Sequence, residues 1–116
     1  MNFSTTNLIR VLRFLKKEIH QELSIKQTIV FLIALQADCE LHKPICAIDL
    51  IDTNEFCKET VNDVFNRASG LDYHNRKRYH QIFFTRETME NQGKKLFLIA
   101  TPAGKEIYKI IKKMLA

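Results

Sequence analysis

Along the first part of the chain the apolar residues Leu8, Leu12, Leu15 and Ile19 recur at the three-to-four spacing of a helix face, which predicts a helix over residues 5–23. Ile9, Val11 and Phe14 widen the stripe beyond one face, and a helix with two apolar faces has two partners. Ser24 followed by Gln27 has the form of a capping box, so a second helix is expected from there to about residue 40. Its centre, Ile29-Val30-Phe31-Leu32-Ile33-Ala34-Leu35, is apolar all round, as suits a helix buried in the middle of a small domain.

His42-Lys43-Pro44 breaks that pattern, and residues 45–51 read as a short third helix. Thr53-Asn54-Glu55 supplies turn and capping chemistry before a fourth helix over residues 56–69, with Gly70 placed to stop it in a left-handed conformation. Residues 79–86 and 95–100 are rich in aromatic and branched side chains and predict two strands. The polar stretch between them, with Gly93, makes them a β-hairpin with a long tip. Thr101-Pro102 is an N-cap followed by proline at the first helical position, opening a last helix through Ile107, Ile110, Ile111 and Met114. The fold class expected is mainly α with a small β-hairpin, α+β, in one domain over residues 1–116: four helices, a hairpin and a final helix.

Composition narrows the classes. With 116 residues and 46% apolar content, one core can form without disulfide or metal. No apolar run reaches the roughly 18 residues of a membrane span, and Met1-Asn2-Phe3-Ser4 lacks the layout of a secretory signal, so a cytoplasmic protein with no membrane association is expected. Cys39, Cys46 and Cys57 are an odd number without framework spacing and read as thiols in a reducing compartment. The net charge of +5 favours an acidic partner, nucleic acid first. It is unevenly spread: residues 1–37 carry +3, 38–63 carry −5, 64–100 carry +4 and 101–116 carry +3. The densest cationic run is His74-Asn75-Arg76-Lys77-Arg78-Tyr79-His80.

Two helices joined by a turn and followed by a hairpin are the winged helix-turn-helix order, in which the second helix can enter the major groove while the hairpin reaches the flanking backbone. On three motifs the chain resembles the MarR-type transcription regulators. Lys58-Glu59-Thr60-Val61-Asn62 stands at the family's recognition-helix position, Gly70-Leu71 follows that helix, and Thr101-Pro102-Ala103-Gly104-Lys105 follows the second wing strand. The resemblance spans about residues 24–115 in order and spacing. Cys57 replaces the family's serine cap, the wing lacks the Asp-x-Arg motif, and residues 71–78 form a longer, more basic link. The resemblance implies a homodimer held by the terminal helices (1–23 and 101–116) around a winged-helix core (24–100). Two recognition helices would then sit roughly 34–36 Å apart on an inverted repeat of double-stranded DNA.

On the fourth helix Lys58, Asn62 and Asn66 lie four apart on one stripe, opposite Val61, Val64 and Phe65. Asparagine can pair with adenine, lysine with guanine or phosphate, and Thr60 with a thymine methyl or a phosphate. The same stripe is also what a solvated helix face looks like, and Glu59 and Asp63 count against DNA contact. Affinity would have to come from Arg67, Arg76, Lys77, Arg78, Arg86, Lys94 and Lys95 around the wing, whose phosphate contacts would make binding fall with salt. Arg10, Arg13, Lys16 and Lys17 on the first helix and Lys105, Lys109, Lys112 and Lys113 on the last read as solubility faces.

Cys39, His42, Cys46 and Cys57 have zinc-ligand types but no CxxC pair, so no metal or other cofactor is expected. Only three glycines, and no nucleophile with its base, speak against an enzyme. The functional expectation is a sequence-specific DNA-binding regulator of transcription. Two alternatives stand beside it: a DNA-binding adaptor for plasmid or phage partition or replication, and a winged-helix protein-interaction module that docks through the acidic block at 38–63.

Overall fold

The computed structural model describes residues 4–18, 24–52, 56–68 and 83–116. In chain order these form α1 (Thr5–Glu18), α2 (Ile25–Cys39), α3 (Ala47–Asp52), α4 (Lys58–Ala68), β1 (Phe84–Glu87), β2 (Phe97–Ala100) and α5 (Pro102–Leu115). The chain is thus mainly helical with a two-stranded antiparallel hairpin.

Local chemistry starts α2 and α5 where the sequence predicts. Gln27 N–H donates to Ser24 Oγ at 3.1 Å and Ser24 N–H to Gln27 Oε1 at 2.9 Å, the reciprocal capping box that satisfies two orphan donors. Gly104 N–H donates to the Thr101 hydroxyl at 3.1 Å, with Pro102 opening α5 behind it.

One apolar cluster draws on all of these elements, from Val11 and Leu15 through Phe31, Leu50, Val61 and Leu98 to Ile107 and Ile111. The centre of it is α2, which packs against α4, α5 and β2. The Phe31 ring meets Phe83 and Phe84 edge-to-face, with centroids 5.8 and 5.6 Å apart, the arrangement that the quadrupoles of aromatic rings favour. The Ala100 N–H donates to Asp38 Oδ2 at 2.7 Å, fastening β2 to the last turn of α2.

Several boundaries differ from expectation, each for a local reason. Residue 45 is not helical: Ile45 C=O accepts from Leu98 N–H at 2.9 Å and Cys46 bridges antiparallel to Phe97, so this segment flanks β2 and α3 begins at Ala47. Phe56 is buried ahead of α4, which begins at Lys58. The described part of the first strand is Phe84–Glu87, paired Phe84 to Ala100 and Glu87 to Phe97, and Asn91 and Gly93 take positive φ in the tip. Buried on one side by Val30, Phe31, Ala34 and Leu35, α2 leaves Ile29 exposed and Leu32 and Ile33 half-buried on the other, so it is not enclosed all round. The expectations at residues 19–23, 53–55 and 69–82 lie outside the described residues.

Candidate nucleic-acid interface

Val61 and Val64 are buried and fix α4 against α2 and α3. That anchoring leaves Lys58 and Glu59 exposed and Asn62 half-buried on the other side. Lys58 and Asn62 lie one turn apart on a shared edge, as the sequence predicts, and Glu59 stands on the same outer surface, one turn before Asn62.

Asp63 is placed differently from the sequence reading, because Gln27 Nε2 donates to its Oδ2 at 2.5 Å. One glutamine therefore caps α2 with its carbonyl and holds α4 with its amide, and the Asp63 carboxylate is drawn toward α2. Thr60 sits two residues from Asn62, on a different face of the helix. It is half-buried, and its Oγ1 lies 3.1 Å from Cys57 Sγ at the helix start. Thr60 and its backbone N–H pull the Cys57 thiol below the ordinary thiol range. Burial acts oppositely on Cys39 and Cys46, whose thiols are pushed up.

On the hairpin, Lys94 and Lys95 are exposed in the tip. Arg86 alternates with Thr85 and Glu87 along β1 and shares the inward side with Phe84; it is half-buried, and desolvation lowers its pKa. The outward side carries Thr85, whose hydroxyl donates to Glu87 Oε2 at 2.8 Å. The side chains of Asn66 and Arg67, and all of Arg76, Lys77 and Arg78, lie outside the described residues.

The sequence reading missed the tether from Asp38 to Ala100 and an apolar trough between α1, α2 and α5. The tether joins residues 62 positions apart, and the trough depends on how three helices cross. Among the described residues no helix is long and apolar enough to cross a membrane, and no three His, Cys, Asp or Glu side chains converge as a metal site. No protein family, no curated protein and no solved structure matches the chain.

Proposed function

We propose that the chain binds double-stranded DNA without catalysis, as a winged helix-turn-helix in which α3 and α4 form the helix pair, α4 enters the major groove and the β1–β2 hairpin is the wing. The observation that carries this reading is the α4 surface: a helix anchored by Val61 and Val64, presenting Lys58 and Asn62 outward, followed in the chain by a hairpin with Lys94 and Lys95 at its tip. The bond from Gln27 to Asp63 supports it by drawing one carboxylate toward α2. Glu59 stays outward and would need a cytosine amine to accept from.

A second copy of the chain belongs to the reading at the level of the DNA, each copy engaging one half of an inverted repeat. The biological role that follows is control of transcription at such a site.

The test is fluorescence anisotropy of the full chain on randomised duplex DNA across a salt series, followed by sequencing of the retained DNA. Salt-sensitive binding with enrichment of an inverted repeat is expected. Asn62→Ala should change the sequence preference, and joint alanine substitution of Arg76, Lys77 and Arg78 should weaken binding to all sequences alike. Absence of binding at low salt overturns the reading.

A further inference from the structure

Ser24 and Gln27 cap each other at the start of α2, with Gln27 at the third helical position. Either glutamine or glutamate completes such a box, since all that the cap asks of this side chain is an oxygen to accept the Ser24 N–H. Gln27 Oε1 does so at 2.9 Å, and the hydroxyl of the buried Thr28 donates to the Ser24 carbonyl at 2.8 Å, so the first turn of α2 is closed firmly on Ser24. With its oxygen committed there, Gln27 turns its amide nitrogen away from Ser24, and that nitrogen donates to Asp63 Oδ2 on α4. A glutamate would cap α2 equally well, but it has no proton to donate and would set a second carboxylate against Asp63. What the cap leaves open, the contact with α4 decides in favour of glutamine.

The link matters for charge more than for holding the two helices together, because Val61 and Val64 already fix α4 against α2 and α3. Among the described side chains of α4, Lys58 is the cation and Glu59 and Asp63 are the carboxylates. Asp63 lies one turn beyond Glu59, on the same edge of the helix. Turned outward together, the two would outweigh Lys58 and give a face that phosphate repels. Held by Gln27, Asp63 is half-buried beside α2, and the outward charges of Lys58 and Glu59 cancel.

We propose that Gln27 is a positioning residue for DNA binding: its amide keeps the Asp63 carboxylate out of the path of the phosphates, so the capping box of α2 also sets the charge that α4 presents. In this role Gln27 touches no DNA and acts through Asp63 alone. The inference rests on the reading of α4 as the DNA-facing helix.

The test is fluorescence anisotropy of the full chain on a labelled duplex of random sequence at low salt. Gln27→Glu keeps the cap, and with it the circular dichroism spectrum, but faces Asp63 with a second carboxylate, and binding should weaken about fivefold or more. Asp63→Asn can still accept from Gln27 and removes a charge that was already held aside, so it should change binding by less than about twofold. In the combined variant Gln27→Glu, Asp63→Asn the new asparagine amide can donate to the new glutamate, and binding should return to within about twofold of the unsubstituted chain. A defect of the cap or the fold would not be rescued in this way. One readout needs no DNA: by NMR, the side-chain amide of Gln27 should exchange its protons more slowly than that of Gln92, exposed in the hairpin tip, and Asp63→Ala should remove the difference.

If Asp63→Asn alone tightens binding about fivefold, the carboxylate faces the phosphates in spite of Gln27 and the inference is overturned. A combined variant as weak as Gln27→Glu overturns it too, since the repulsion would then arise at position 27 itself. So does a Gln27 amide that exchanges as fast as that of Gln92. Each of these outcomes leaves the DNA reading standing, whereas no binding by the unsubstituted chain overturns the reading and the inference together.

Discussion

Gly104 shows how a single position can be constrained by backbone rather than by chemistry. A Cβ added there would lie 2.2 Å from the Phe83 carbonyl oxygen, which also accepts the Thr101 N–H at 3.0 Å and so has no room to withdraw. Gly104→Ala is expected to cost about 2 kcal/mol or more, read as a lowered urea midpoint with an unchanged slope. An unchanged midpoint would mean that α5 slides to admit the methyl. The sequence marks this glycine through its place after Thr101-Pro102, but its neighbour Phe83 lies across a strand pair and is invisible to local pattern. At Cys57 the reason is chemical. Thr60 holds its thiol below the ordinary range while burial raises Cys39 and Cys46, so at neutral pH Cys57 carries the largest thiolate fraction of the three. Iodoacetamide followed by peptide mass mapping should label Cys57 first. Thr60→Val, which removes the hydroxyl, should move the pH midpoint of that labelling upward, and a midpoint that stays put would discard Thr60 as the cause.

Elements were legible where one short stretch carries its own start signal. The α2 capping box and the Thr101-Pro102 start of α5 depend on residues three apart, and both form as the sequence predicts. Ile45 and Cys46 were misread because an apolar run of that length suits a helix or an extended segment equally, and its pairing with Phe97 and Leu98 is decided more than 50 residues away. Enclosure of α2 was over-read for a related reason: an apolar sequence states what a face prefers, not whether the chain supplies a cover for it. A polar long-range link between α2 and the hairpin is the carboxylate of Asp38 on the Ala100 N–H, beside the packing of Phe31 on Phe84. Asp38→Ala would leave a buried backbone donor without its acceptor and should destabilise the fold by about 1–3 kcal/mol, with Asp38→Asn costing less because an amide oxygen can still accept. Amide exchange at Ala100 should quicken in the alanine variant, and an exchange rate equal to that of the unsubstituted chain would show that the tether does not hold the strand.

At the scale of the molecule the cations separate into two sets that the net charge alone does not distinguish. One set, Lys58, Lys94 and Lys95, belongs to the α4 surface and the hairpin tip; the other, Arg13, Lys16 and Lys17 with Lys105, Lys109 and Lys113, is exposed on α1 and α5. Both sets were legible in the sequence, the first from the order of elements and the second as the charged sides of two amphipathic helices. If only the first set meets DNA, salt titrations will tell the two apart. Each phosphate neutralised contributes a slope of about −0.9 in log K against log salt, so replacing both Lys94 and Lys95 by alanine should make the DNA slope shallower by up to about 2. Lys16→Ala with Lys109→Ala, on α1 and α5, should leave the DNA slope unchanged. If both double variants make the slope equally shallow, a general cationic surface accounts for binding, and the assignment of the DNA contact to α4 and the wing fails.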